Sequence, residues 1–224
     1  MPRRDVIGLA LAVMMAISVT APCPARAQQV GTPVAAPSVQ TLLARLSADN
    51  PMPREYTANV DLHVKLRMFP FIGLTLHGDS SFKRPGLYHF VFRGVPKAAE
   101  KFNEMNYDLG DATKWPDRYV IAAAPQSTAL APVVRLTPKV RGMVKWLDVS
   151  IDPEKGHLMR AVWSRFDGGT ITLVQTYAPA GENEIVSRQT ASIDIPHMKA
   201  DISAEYRSFV VSGMPVIAGL PAER

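Results

Sequence analysis

YTANVDLHVKLRM, residues 56–68, alternates without a break: Tyr56, Ala58, Val60, Leu62, Val64, Leu66 and Met68 share one register, and Thr57, Asn59, Asp61, His63, Lys65 and Arg67 the other. Successive side chains of an extended chain point to opposite faces, so the pattern predicts a β-strand with one apolar face. At about 3.3 Å per residue this strand is roughly 40 Å long, well beyond the usual five or six residues. Strands of that length with one greasy face build large curved sheets.

On the N-terminal side of this strand, Ser38 is placed to cap a helix with Val39, Leu42, Leu43 and Leu46 along one face, ended by Pro51 and Pro53. A helix this short needs an apolar surface to lie on. Before it, QQVGTPVAAPS is Pro-rich and small, which suits a flexible spacer. The first residues read as a secretory signal peptide: Arg3 and Arg4, an apolar run from Val6 to Val19, and Ala25 and Ala27 in an A-x-A cleavage pattern. The expected division is a cleaved signal peptide over 1–27, a spacer over 28–37, one domain over 38–215 and a tail over 216–224. The protein is then expected to be exported, and to be a monomer.

Cleavage after Ala27 removes Cys23, the chain's one cysteine, so the mature chain has no disulfide, thiolate nucleophile or cysteine metal site. Taking Arg3, Arg4, Arg26 and Asp5 from the 25 basic and 20 acidic residues leaves 22 and 19, and the net charge falls from +5 to +3. With no Lys/Arg block and no interleaving of aromatic and basic residues, no nucleic-acid partner is expected.

Downstream, strand signals follow in succession. Leu74, Leu76 and Phe82 alternate with Thr75, His77 and Lys83; Arg84-Pro85-Gly86 reads as a turn with a positive φ at Gly86; Tyr88, Phe90 and Phe92 share a face of the strand from Leu87 to Val95. KAAEKFNEM, residues 97–105, has the composition of a helix with Phe102 and Met105 on one side. Strands are expected again over 118–124, 133–137, 145–152 (Leu147, Val149, Ile151), 158–166, 170–177 (Ile171, Leu173, Tyr177), 185–195 and 199–211. PEKG and Asp167-Gly168-Gly169 make tight connections, and 178–184 a loop. About nine strands with little helix between them predict an antiparallel sheet. So wide a sheet must curl, pair with a second sheet or be plugged. The expected class is mainly β (α+β): a curved antiparallel sheet closed by one to three helices over an apolar hollow.

Several short motifs and their order resemble a known family. Signal peptide, amphipathic helix and long first strand are followed by SFKRPGLYHFVF (81–92), RLTPK (135–139), IDPEKGHLMR (151–160) and FDGGTITLVQTY (166–177). This succession is similar to the LolA/LolB-like periplasmic lipoprotein carriers and their relatives among outer-membrane lipoprotein-sorting and sigma-factor regulatory proteins. The resemblance implies a half-barrel with a cavity for acyl chains, no enzyme activity and no cofactor, and together with the signal peptide it implies a periplasmic location. NYDLGDATKWPDRY (106–119) departs from the family's usual stretch after the third strand, and no arginine contact of the family maps onto this chain.

Burying an acyl chain gains about 0.8 kcal/mol per methylene, so such a site needs many apolar side chains. The candidates are Val60, Leu62, Val64, Leu66, Leu74, Leu76, Tyr88, Phe90, Phe92, Leu147, Val149, Leu173 and Tyr177. Taken singly, each is better explained by core packing; the surplus of sheet face over covering helix is what points to a cavity. The histidines His63, His77, His89, His157 and His197 lack metal-ligand spacing, no Ser lies in a nucleophile elbow, and Asp148, Asp152 and Glu154 fit neither calcium nor paired-carboxylate chemistry. Three functions remain open: a carrier or chaperone for lipid or lipoprotein acyl chains; a regulatory binding protein of the same fold with an inner- or outer-membrane protein partner; and, remotely, a lipid-directed hydrolase.

Overall fold

The computed structural model describes residues 37–49, 51–68, 73–97, 100, 103–108, 111–211, 213–216 and 220–221. The signal peptide, the spacer up to residue 36, the turn at 70–72, Phe102 and the last three residues lie outside them. Ser38 caps helix α1, Val39–Ala44, by accepting the Thr41 backbone N–H at 3.1 Å. Its last expected turn, containing Leu46, is a π-turn, Arg45–Asp49. Leu42 and Leu43 are buried, as the spacing predicted.

The strands are β1 (Glu55–Leu66), β2 (Gly73–Lys83), β3 (Leu87–Arg93), β4 (Glu104–Asp108), β5 (Tyr119–Ala123), β6 (Val133–Pro138), β7 (Val144–Ile151), β8 (Leu158–Arg165), β9 (Thr170–Gly181), β10 (Asn183–Ile195), β11 (Met198–Val211), β12 (Met214–Val216) and β13 (Leu220–Pro221). All join one sheet. Its main path runs β4-β3-β2-β1-β11-β10-β9-β8-β7-β6-β5, with β12 beside β11 and β13 parallel to β9. The long first strand is therefore internal. It pairs antiparallel with β2, Val60 opposite Gly78, and with β11, Val60 opposite Tyr206 and Leu66 opposite Ala200.

Along β1 burial follows the predicted alternation and then fades: Tyr56, Ala58, Val60 and Leu62 are buried, Val64 and Leu66 only half so. The inward face of β1, β2, β3, β10 and β11 forms one core, with Tyr56, Phe82, Tyr88, Phe90 and Phe92 in a row of ring contacts 4.9 to 6.3 Å apart. A second core joins the inward residues of β6 to β9 to Leu42 and Leu43 of α1 and to Ala112 and Trp115. The last two belong to the crossover from edge strand β4 to opposite edge strand β5. Asp111 caps its 3₁₀ turn, Ala112–Lys114, through the Thr113 N–H at 2.9 Å, and Trp115–Arg118 forms the four-residue helix α2.

Four expectations are corrected. Glu104 and Met105 belong to strand β4, not to a helix, because β3 would otherwise present an unpaired edge and the ladder outweighs a local helical composition. Residues 178–184 are not a loop: β9 runs through Gly181, whose φ of 64° turns the chain directly into β10. The Arg84-Pro85-Gly86 turn carries a cis Arg84–Pro85 bond and no positive φ at Gly86. Among the described residues the strands number thirteen rather than about nine, because short pieces such as β4, β12 and β13 have no periodicity of their own. No described helix is long and apolar enough to cross a membrane.

Candidate functional site

Where burial along β1 fades, the concave face opens into a hollow of about 450 Å³. It is lined by Leu62 of β1, Phe90 and Phe92 of β3, Met105 and Asp108 of β4, Tyr119 of β5, Leu147 of β7, Trp163 of β8, Ile171 and Leu173 of β9, Gln189 and Ala191 of β10, and Ile202 and Ala204 of β11. Both edge strands of the sheet contribute, so the curl brings β4 and β5 to opposite sides of one space. The wall is almost wholly apolar, and among the described residues Asp108 is its one charged lining residue.

Of the thirteen residues chosen from the sequence, Leu62, Phe90, Phe92, Leu147 and Leu173 line this hollow. Val60, Leu76 and Val149 are buried in the cores instead, and Val64 and Leu74 pack on the margin of the first. Leu66 is half-buried at the strand end, outside the lining. Tyr88 and Tyr177 line a separate, smaller cavity of about 40 Å³ beside Gln175 and Trp115. The other lining residues are of three kinds: small or polar ones, Ala191, Ala204, Gln189 and Asp108; Met105, on a segment of helical composition; and the large Tyr119, Trp163, Ile171 and Ile202 on predicted strands. One signal could have found two of them: Ala204 and Ile202 stand opposite Leu62 and Val64 on β1.

A belt of polar groups crosses the concave face between the two cavities. Gln175 and Gln189 are direct partners across the β9–β10 ladder. The Tyr206 hydroxyl donates to Gln189 Oε1 at 2.7 Å, and the Tyr177 hydroxyl lies 2.8 Å from Gln175 Oε1. The two amide nitrogens, Gln175 Nε2 and Gln189 Nε2, are buried without a hydrogen-bond partner. Each such orphan costs about 1–3 kcal/mol. Burial, with other tyrosines close by, pushes the Tyr56 hydroxyl well above its ordinary pKa, and burial does the same to Tyr88.

Most of the titratable groups singled out from the sequence are taken up in pairs and caps, while Glu154 and His197 are exposed. Asp148 receives both Arg135 Nε and Nη2 at 2.7 Å, and Asp152 caps the Glu154 and Lys155 N–H groups at 2.8 and 2.9 Å. His77 Nδ1 lies 2.6 Å from Asp61, while His63 meets Thr75 at 3.1 Å and His89 meets Asn106 at 2.8 Å. Among the described residues no cluster of three or more His, Asp or Glu side chains could hold a metal.

His157 is 2% exposed, stacks on Tyr177 at 3.9 Å and meets the Glu184 carboxylate through Nε2. Its Nδ1 has no partner, which suits a neutral ring with the proton on Nε2; a second proton would place an N–H where nothing accepts it. Burial accordingly lowers its pKa below the ordinary 6.5, with Glu184 and Asp152 working only partly against that. Burial alone would raise the Glu184 carboxyl, but Lys155 and His157 hold it below 4.5. As pH falls through 6.5 the unfolded chain takes up a proton that folded His157 resists, so stability is full above that pH and declines below it. Glu184 adds a further loss below about pH 4.5. Thermal melts of the wild type should show a falling Tm from pH 7.5 to 5.5, and His157→Phe should flatten that slope; an unchanged slope contradicts the assignment.

Comparison of the sequence with known protein families and with characterised proteins gives no match. Solved structures do match. A LolA superfamily protein from Nitrosomonas europaea superposes with a TM-score of 0.53 at 9% identity over 79% of this chain and 94% of its own. The fold is LolA-like. An outer membrane lipoprotein-sorting protein domain from Vibrio parahaemolyticus gives a TM-score of 0.54 at 8% identity, covering 77% of this chain and 90% of its own. A DUF1329 family protein from Desulfovibrio piger gives 0.50 at 10% identity over 76% and 90%. In this LolA-like half-barrel the hollow lies on the concave face and the charged register of β1 on the convex one.

Proposed function

We propose that the protein is a periplasmic carrier or chaperone that shelters the acyl chains of a lipid or lipoprotein. In this reading the signal peptide over 1–27 directs export, a spacer follows over 28–37, and the domain over 38–215 works as a monomer without a cofactor and without enzyme activity. The hollow of about 450 Å³ carries the proposal. A core built only for stability would be packed at crystal-like density, whereas this space is apolar, partly open and walled from both arms of the sheet. Each methylene moved there from water gains about 0.8 kcal/mol, so an ordinary acyl chain has ample driving force. A structural neighbour named for outer membrane lipoprotein sorting supports the same reading.

A second reading, a regulatory protein of this fold that docks on a membrane protein, draws on the turns beside the hollow. Val140 is 83% exposed, and Met143 and Phe166 are exposed beside it, joined by a bond from the Phe166 N–H to the Met143 carbonyl at 3.1 Å.

Native mass spectrometry of the protein isolated from its own host separates the two. The carrier reading expects a lipid adduct, and uptake of a fluorescent acyl probe once the protein is delipidated. A lipid-free protein that takes up no probe and brings down a stable membrane-protein partner would establish the regulatory reading instead.

A further inference from the structure

Three large apolar side chains stand exposed on two neighbouring turns. Val140 and Met143, 83% and 65% exposed, lie between β6 and β7, and Phe166, 52% exposed, lies between β8 and β9. The bond from the Phe166 N–H to the Met143 carbonyl, at 3.1 Å, ties the turns together, and the Arg141 guanidinium lies 5.1 Å from the centre of the Phe166 ring. Apolar groups gathered at one point of a fold mark a contact surface, unlike the same groups scattered singly. Residues 138–145 and 165–170 also hold three exposed cations, Lys139, Arg141 and Lys145, and one acid, Asp167, which Arg165 takes up at 2.7 Å. The tip is apolar at its points and positive around them.

This tip adjoins the hollow. Tyr119 is paired with Pro138 where β6 enters the first turn, Leu147 follows that turn on β7, and Trp163 and Ile171 flank the second; all four line the hollow. We infer that the two turns dock on the surface of an anionic lipid bilayer, Val140, Met143 and Phe166 entering the interface while Lys139, Arg141 and Lys145 meet lipid phosphates. Lys and Arg stems lie along apolar surface with their charges kept at the headgroups, so both sets of side chains engage at once. The core of a protein–protein interface is instead depleted in charge, and Lys is scarce there, so these turns suit lipid better than the membrane-protein partner of the second reading. Docking sets the hollow beside a source of acyl chains, yet it does not depend on the carrier reading.

The mature chain is titrated with vesicles of phosphatidylcholine alone and of phosphatidylcholine with phosphatidylglycerol at roughly two to one, and binding is read by flotation. Three cations at about fivefold each predict that anionic vesicles bind roughly a hundredfold more tightly than neutral ones at low salt, with the preference shrinking as salt is added. Replacing Lys139, Arg141 and Lys145 together by Ser should bring that ratio toward one. Val140→Ser with Phe166→Ser should weaken binding to both vesicles by about tenfold or more, and a melt confirms folding. Lys83→Ala, at the end of β2 away from these turns, should change neither. The emission of Val140→Trp should shift to the blue relative to the wild type on anionic vesicles. Equal binding to both vesicles, or an unshifted Val140→Trp, overturns the inference. Binding to native membranes that the same substitutions abolish, with none to protein-free anionic vesicles, also overturns it and identifies a membrane protein as the partner. Docking by a chain that takes up no acyl probe supports the inference and removes the carrier reading alone.

Discussion

Ala191→Trp should lower acyl-probe uptake at least tenfold while leaving the protein folded. Ala191 lies on β10 between Leu173 of β9 and Ile202 of β11, and all three line the hollow. An indole at this position projects into open space rather than into packed neighbours, so it takes the room an acyl chain would use without burying a charge or an unpaired polar group. Aromatic residues also suit a strand. A tenfold loss corresponds to about 1.4 kcal/mol, equal to displacing roughly two methylenes from the wall. Lys65→Ala provides the control, since Lys65 lies on the exposed register of β1 and outside the hollow. Fluorescence titration checks both variants, with a melt to confirm folding. Undiminished uptake by a folded Ala191→Trp protein would show that the probe binds elsewhere.

Gly78→Ala should destabilise the domain by about 3 kcal/mol or more, the upper range for forcing an atom into packed structure. Gly78 sits on β2 between Val60 of β1 and Phe92 of β3. A Cβ there would overlap the Val91 carbonyl oxygen and come within 2.9 Å of Phe92 Cα. The obstacles are backbone atoms of the neighbouring strand, which cannot swing aside as a side chain can. The close approach is what lets β3 follow the curl of the sheet and carry Phe90 and Phe92 to the hollow. For a domain of this size the expected loss lowers Tm by about 6–12 °C. Because the hollow depends on β3 keeping its place, probe uptake should fall as well. A Tm within a degree or two of the wild type would mean that the sheet tolerates a looser β2–β3 ladder, and that Gly78 does not set its curvature.

How far the fold could be read in advance differs from strand to strand for a definite reason. On β1 the apolar and polar residues alternate strictly, and on β2 and β3 they do so with few departures, Ser80 inward and Leu87 and Val91 outward; burial follows the register, with Val60, Leu76 and Phe90 inward and Asp61, His77 and Val91 not buried. Ser38 likewise caps the helix where a Ser before a spaced Leu pair predicts it. On β11, Ala200, Ile202, Ala204 and Tyr206 likewise alternate with Lys199, Asp201, Ser203 and Glu205, but in the middle of β10 the inward Gln189 and Ala191 differ little in polarity from Thr190 and Ser192, so only the ladders to β9 and β11 show which way they face. β4 is a strand because of its partner and not its composition.

The candidate site divides in the same way. An alternation of period two is a local property, since it needs only the direction of successive side chains in one extended segment, and it suffices to establish a long strand with a greasy face and hence a curved antiparallel sheet. Which greasy residues become core and which become wall depends on how far the sheet curls and on what lies across from them. Val60 and Leu62 are indistinguishable as letters two places apart on YTANVDLHVKLRM. Both are buried in the aromatic core, but Leu62 also lines the hollow, where residues of β4 and β5 stand on opposite sides of one space. That juxtaposition joins residues far apart in the chain, and no local pattern encodes it.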